Sequence, residues 1–253
     1  MNKSEVFSVI KDSMTDYANY LLSLVFPNRC IFCRELNSPF EDICPECDEN
    51  LPRIDGEICP YCGTLTEDCN CRKRTGNYYD GIVAPLYYED KVKTAIHDYK
   101  FNGCKNNVKL LSLMMSETCR ERYGDIKFDY VSCVPSEKRR NRNGYRHSEL
   151  LAKLVAKRLE IPFYPDILLK IYPTKHQRDC PEIVRKGNLC GAFDVNQKYD
   201  VENKNILLVD DIKTTGSTLS ECGKMLFLYG ASGVYCLTAA IGKGKKKDKD
   251  IQL

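Results

Sequence analysis

The first part of the chain carries apolar residues at a helical period. Between residues 4 and 24 they recur every three or four positions, as at Val6, Ile10 and Met14. This spacing places them along one face of a helix. We therefore expect residues 1–25 to form an amphipathic helix that packs on its own protein rather than on a membrane or a partner.

A second pattern runs from residue 76 to residue 242, where short apolar runs alternate with amphipathic stretches. Strands that alternate with helices form a parallel sheet that is covered by helices on both faces. The sequence therefore predicts an α/β domain at 76–242, followed by a solvated basic tail at 243–253. The predicted strands are 81–88, 128–134, 205–209 and 234–239, and the predicted helices are 91–100, 107–122, 148–159 and 217–228.

Residues 26–75 lack such periodicity and are rich in Cys, Pro, Asp and Glu. A segment with so few apolar residues needs another source of stability, such as bound metal. Eight of the 15 cysteines lie here in four close pairs. Because two sulfurs on one tight turn can bind one side of a tetrahedral Zn²⁺, four pairs predict two structural zinc sites. The paired cysteines are Cys30 and Cys33, Cys44 and Cys47, Cys59 and Cys62, and Cys69 and Cys71.

The spacing leaves open which pairs share a metal, since sequential and interleaved arrangements use the same residues. The other seven cysteines are scattered from Cys104 to Cys236, and we expect them to be small core residues. An odd cysteine count without a secretory leader or a long apolar run predicts a cytoplasmic protein with no membrane insertion. The net charge of +3 does not indicate the kind of partner, because zinc-bound thiolates would offset it.

One segment combines an apolar strand, two acids and a loop of small hydroxyl residues. Asp210 and Asp211 follow the apolar run 205–209, so we expect them at the carboxyl edge of the sheet, where α/β proteins bind ligands. The loop leads into a predicted helix, whose N-terminal amides attract anions. Carboxylates beside such a site suit a sugar phosphate, because they accept hydrogen bonds from neighbouring hydroxyls. The predicted phosphate loop consists of Thr214, Thr215, Gly216, Ser217 and Thr218.

This strand, acid pair and loop resemble the motif by which type I phosphoribosyltransferases bind 5-phosphoribosyl 1-diphosphate (PRPP). Further segments resemble the ComF family, which joins a double zinc ribbon to a domain like that of the type I phosphoribosyltransferases. These segments are 25–33, which contains the first cysteines, 97–103, and Val134-Pro135. The resemblance also includes Gln177, Arg185 and Asn188, which we expect in a flexible loop that covers the site.

The resemblance implies a type I fold that binds PRPP together with Mg²⁺. It also implies transfer of the phosphoribosyl group to an acceptor, with release of diphosphate; neither the acceptor nor a catalytic side chain is assigned. Positive charge for the diphosphate is available at Lys138, Arg139 and Arg140. A solvated surface or a contact with nucleic-acid phosphates would use the same three residues.

The chain departs from the family pattern at residues 143–147, which read Asn-Gly-Tyr-Arg-His where the family usually has Arg-Gly-Phe-Asn-Gln. Because this departure lies on the side expected to hold the diphosphate, a second function stands beside the transferase. In that alternative, the chain binds PRPP or a nucleotide without catalysis and handles imported single-stranded DNA in natural competence. Its partners would be single-stranded DNA or competence proteins.

Overall fold

The computed structural model describes residues 28–69, 71, 77–102, 104–135, 147–171 and 192–243. The chain divides into two compact units, residues 1–51 and 52–253. No helix in the described ranges combines the length and the apolar character that a membrane span requires. Several predictions fall outside these ranges: the N-terminal helix, most of the basic tail, and the roles of Lys138, Arg139, Arg140, Gln177, Arg185 and Asn188.

In the smaller unit, the described residues 28–51 form tight turns and one short helix, α1 (Pro45–Asn50). A β-bridge joins Arg29 to Leu36 across the first turn. The side-chain amide of Asn28 donates to the carbonyl of Glu41 at 2.6 Å and holds the next turn. Local hydrogen bonds and cysteines therefore define this unit more than a core does, and its buried residues are Cys30, Ile31, Phe32, Cys47 and Leu51.

The larger unit is organised around a parallel sheet. Its strands are β1 (Gly81–Val83), β2 (Leu86–Tyr87), β3 (Tyr130–Cys133), β6 (Asn205–Lys213) and β7 (Gly233–Ile241). The order across the sheet is β1-β7-β6-β3, and β2 pairs with β7 beyond the end of β1. Two further strands, β4 (Leu168–Lys170) and β5 (Phe193–Val195), form a separate antiparallel pair.

Helices cover both faces of the parallel sheet. They are α2 (Asp90–Phe101), α3 (Lys105–Tyr123), α4 (His147–Leu159) and α5 (Ser217–Leu228). Helices α3 and α4 pack on each other, α3 also contacts β1 and β7, and α4 contacts β3 and β6. Helix α5 contributes its apolar side to the core that contains Ile206 and Leu208. Because all four residues 206–209 are fully buried, β6 is covered on both sides, as in α/β proteins.

This arrangement confirms the predicted α/β class, and the strands predicted at 81–88 and 205–209 show the clearest differences. The strand expected at 81–88 is divided into β1 and β2 at Ala84-Pro85, because proline has no N–H to donate to a neighbouring strand. Strand β6 extends four residues beyond the predicted end at Val209. The extension follows from β7, which runs alongside it and pairs Asp210 with Thr238 and Lys213 with Ile241.

Candidate metal centres and ligand site

The eight clustered cysteines form two groups in sequential order. Within each group, the four sulfur atoms lie within 4.8 Å of one another. The distance between sulfurs is 3.8 Å for Cys33 and Cys44, and 3.7 Å for Cys62 and Cys69. Tetrahedral Zn²⁺ with bonds of about 2.3 Å requires a sulfur–sulfur distance of about 3.8 Å. The donor sets therefore fit zinc; the groups are Cys30, Cys33, Cys44 and Cys47, and Cys59, Cys62, Cys69 and Cys71.

Both groups use the same turn to bring their first two sulfurs together. The residue that follows each Cys-x-x-Cys has a left-handed backbone, with φ of 66° at Arg34 and 73° at Gly63. Its amide donates to the carbonyl of the first cysteine, at 2.9 Å for Cys30 and 2.8 Å for Cys59. The two halves of the cysteine-rich segment are thus repeats of one local structure.

The second cysteine group is packed on the parallel sheet within the larger unit. A Cβ at Gly63 would lie 2.4 Å from the Cδ1 of Ile241 and 2.8 Å from the carbonyl oxygen of Ile82, so only glycine fits this contact. The hydroxyl of Tyr79 donates to the carbonyl of Tyr61 at 2.9 Å. This cysteine turn therefore rests directly on β1 and β7.

A buried lysine connects the second cysteine group to the end of β6. The Nζ of Lys213 donates to the carbonyl oxygen of Cys62 at 2.8 Å, and Lys213 is only 7% exposed. Burial lowers the pKa of this amine, because the charged form loses its hydration. The last residue before the predicted phosphate loop is thereby anchored to the turn that carries two metal-binding sulfurs.

The acid pair lies where β6 extends past its neighbour. Strand β3 pairs with β6 only as far as Val209, whereas β7 continues to the end of β6. Beyond Val209, the β3 side of β6 is no longer occupied by a strand of the described sheet. Asp210 and Asp211 stand in this gap at the carboxyl edge, where open α/β sheets bind ligands.

Asp210 is half-buried and held by two donors. The hydroxyl of Ser148, at the start of α4, donates to its Oδ1 at 2.8 Å, and the backbone amide of Asp211 donates to the same oxygen at 2.8 Å. Burial, reinforced by repulsion from the neighbouring Asp211 carboxylate, raises the pKa of Asp210 to about 7. The two hydrogen bonds and the charge of Lys100 act in the opposite direction but do not outweigh burial.

Asp211 forms an ion pair with the last turn of α2. The Nζ of Lys100 lies 2.7 Å from its Oδ2, and the two side chains are 23% and 14% exposed. The preceding residue, Tyr99, is buried and donates its hydroxyl to the carbonyl of His147 at the start of α4. Burial lowers the pKa of His147 and raises that of Tyr99. Helices α2 and α4 thus converge on the acid pair.

The predicted phosphate loop forms the start of α5. Gly216 is its N-cap with φ of 81°, in the left-handed region that favours glycine. A Cβ there would lie 3.2 Å from the Cε of Lys213. The hydroxyls of Thr215 and Ser217 are 2.6 Å apart, and the side chains of residues 214, 215, 217 and 218 are exposed. The first amides of a helix have no intrahelical acceptor, so this loop offers donors to an anion.

The structure brings together the acid pair and the loop that the sequence singled out. Lys100, Ser148 and Lys213 also belong to this site, and sequence reasoning assigned none of them a role there. Lys100 lies in segment 97–103, which resembles the ComF family. This resemblance is the feature of the sequence that could have pointed to Lys100. For Ser148 and Lys213 the sequence gives no comparable signal, because their contacts depend on packing between distant segments.

A family model of the double zinc ribbon domain matches residues 21–75. The chain thus joins a segment that matches a double zinc ribbon to an α/β domain whose parallel sheet carries an acid pair at its carboxyl edge.

Two curated relatives cover most of the chain. Competence protein F of Haemophilus influenzae is 27% identical over 83% of this chain and 95% of its own length. The DNA utilization protein YhgH of Escherichia coli is 28% identical over 85% of this chain and 98% of its own length. The resemblance of the chain to the ComF family is confirmed by these relatives.

Among solved structures, the chain is similar to glutamine PRPP amidotransferase from B. subtilis. The sequence identity is 22% and the TM-score is 0.37, and the match covers 51% of this chain and 25% of that one.

Proposed function

We propose that the chain binds PRPP at the carboxyl edge of β6. The observation that carries this proposal is a half-buried acid pair immediately before a hydroxyl-rich helix start. Two adjacent carboxylates would repel a phosphate, so an anion alone does not explain them. A phosphorylated sugar explains both features, because its hydroxyls donate to Asp210 and Asp211 while its phosphate accepts from the loop amides.

Each residue of the site has a part in this binding mode. The 5-phosphate accepts hydrogen bonds from the amides at the start of α5 and from the exposed hydroxyls of Thr214, Thr215, Ser217 and Thr218. The left-handed conformation of Gly216 begins the helix whose first amides would face the phosphate, while the side that lacks a Cβ packs close to Lys213 and Tyr79. Mg²⁺ bound together with the substrate would neutralise charge on the leaving diphosphate.

We further propose a transferase reaction at the ribose. A nucleophile forms a bond to C1 as the bond from C1 to the diphosphate oxygen breaks, and diphosphate leaves with the electron pair while the nucleophile loses a proton. The protein accelerates such a step by positioning the ribose and stabilising charge. The acid pair holds the sugar hydroxyls and the helix start holds the phosphate, so C1 is fixed between them.

We propose that each cysteine group holds one Zn²⁺ with a structural role. The four thiolates of each group would fill all ligand positions of one tetrahedral ion, which would leave no position for water or substrate. Metal analysis should give two zinc ions per chain.

Titration calorimetry of PRPP with Mg²⁺ tests the sugar site. Asp211→Asn should weaken binding at least about tenfold, because charge-assisted hydrogen bonds to the hydroxyls are lost. Asp129→Asn is the matched control, since Asp129 also pairs with a lysine, Lys204 at 3.8 Å, but at the amino edge of the sheet. Binding that is equal in both variants and the wild type, with zinc content unchanged, would refute the assignment.

The names of the relatives favour a second candidate function. One is called a competence protein and the other a DNA utilization protein, and each is matched over nearly its whole length. In this function, the chain binds PRPP or a nucleotide without turnover and handles single-stranded DNA. Release of diphosphate from PRPP across a panel of amines and bases distinguishes the two. Binding without release, together with salt-sensitive DNA binding, favours the second function.

A further inference from the structure

Lys100 is placed at the acid pair by the residue before it. Tyr99 is 5% exposed, and its ring packs edge-on against that of His147 with centroids 5.2 Å apart. Its hydroxyl also donates to the His147 carbonyl, so the end of α2 is joined to the start of α4. Because consecutive residues of a helix point about 100° apart, the anchoring of Tyr99 also fixes the direction of Lys100.

The ammonium group of Lys100 lies at the edge of the site rather than in the core. Its side chain is 23% exposed, and its Nζ is 2.7 Å from the Oδ2 of Asp211. Lys213, the other lysine near the acid pair along β6, points instead at the carbonyl of Cys62 and is 7% exposed. Lys100 is therefore the cation that the described structure places in contact with the acids.

The charges of the proposed site favour such a cation. A bound PRPP brings a phosphate and a diphosphate close to two carboxylates, and like charges at short range repel. An ionised carboxylate oxygen has two lone pairs, so Asp211 can accept from Lys100 and from a sugar hydroxyl together. The hydroxyl at C2 is adjacent to C1, which carries the diphosphate. With Asp211 as the acceptor of this hydroxyl, a lysine that contacts Asp211 lies near the diphosphate oxygens.

We propose that Lys100 is a ligand-binding residue that holds Asp211 in the free protein and contacts the diphosphate of bound PRPP. This inference rests on the proposed function and names the group that recognises its leaving diphosphate. It also assigns a role to segment 97–103, which takes no part in the contacts proposed for the acid pair and the phosphate loop.

The test compares PRPP with ribose 5-phosphate, which has the same hydroxyls and phosphate but no diphosphate. Titration calorimetry is run on the wild type, Lys100→Met, Lys100→Arg and the control Lys204→Met. Lys100→Met should weaken PRPP binding about 10- to 100-fold, the range for a hydrogen bond to a charged group. It should weaken ribose 5-phosphate binding no more than about fivefold, the effect of a partly exposed ion pair.

Lys100→Arg keeps the charge and should retain most of the PRPP affinity, and Lys204→Met should bind both ligands like the wild type. If Lys100→Met weakens both ligands equally, Lys100 acts only through Asp211 and the diphosphate contact is wrong. Unchanged binding of both ligands would also overturn it. A wild type that binds neither ligand overturns the proposed function itself. Should Lys100→Met fail to fold, Lys100→Gln removes the same charge and gives the same comparison, with Lys100→Arg as the variant that keeps it.

Discussion

Asp210 should make the folded protein less stable as the pH rises. Its pKa is raised from an ordinary 3.8 to about 7 in the fold. In the unfolded chain it ionises near pH 4, whereas in the fold it keeps its proton to about pH 7. Its contribution to stability is therefore complete below pH 4 and is lost between pH 4 and pH 7. The whole shift corresponds to about 4 kcal/mol.

Replacement of Asp210 by Asn removes this titration and preserves the shape of the side chain. The amide oxygen can still accept from Ser148. Between pH 5 and pH 8, the free energy of unfolding of the wild type should fall by about 2 to 3 kcal/mol relative to Asp210→Asn. The titratable and charged groups that interact with Asp210 are the same residues in both proteins, so the difference reports the titration of Asp210 and its coupling to Asp211; these groups are Asp211, Lys100, Cys222 and Cys236.

Urea unfolding, followed by circular dichroism at half-unit intervals from pH 5 to pH 8.5, measures this difference. Glu117→Gln is the control, because Glu117 is an exposed carboxylate of α3 far along the chain from the acid pair. The Glu117→Gln curve should run parallel to that of the wild type, and the Asp210→Asn curve should diverge from it above pH 5. Parallel curves for all three proteins would mean that the fold does not hold a proton on Asp210.

Four further outcomes follow from the same geometry. PRPP affinity should fall by up to about tenfold per pH unit below pH 7, because protonated Asp210 is a poorer acceptor; a flat calorimetric profile contradicts this. Gly216→Ala should reduce the unfolding free energy by about 1 to 2 kcal/mol and weaken PRPP binding, measured by urea unfolding and calorimetry. Lys213→Met should speed zinc release to a chelator, since the Cys62 carbonyl loses its donor. Cys44→Ser should retain one zinc ion per chain by metal analysis, and loss of both ions would show that the groups are not independent.

The elements that were predicted well begin and end at positions set by residues that are close in sequence. Helix α5 spans Ser217–Leu228 as expected, because Gly216 begins it and Tyr229-Gly230 ends it. Strand β6 is longer than predicted because its last residues are stabilised by β7, a partner that the residues of β6 do not reveal. The pair β4 and β5 joins segments more than 20 residues apart, and three-residue strands carry too little pattern to be detected.

The residues of the candidate site also fall into two sets, those that one stretch of sequence reveals and those that only the packing of the domain brings together. Asp210, Asp211 and the loop are contiguous, so their chemistry can be recognised in one stretch of sequence. Ser148 and Lys100 reach the acids from other helices, at sequence separations of 62 and 111 residues. Only the packing of α2 and α4 around the end of β6 brings them together, and that packing is a property of the whole domain.

Asp210 and Lys213 are charged residues at the end of β6 in surroundings that are unusual for charge in a sheet strand. Together they indicate which part of the fold is adapted to bind a ligand. Burial shifts the pKa of Asp210 upward and that of Lys213 downward, so the fold disfavours both charges. Such features persist where function requires them and where the surrounding structure compensates. The compensation for Lys213 is the Cys62 carbonyl, in a turn fixed by the second cysteine group. Loss of zinc should therefore have different effects in the two cysteine groups. The second group supports the strand that carries the acid pair, so loss of its metal should weaken ligand binding as well as stability.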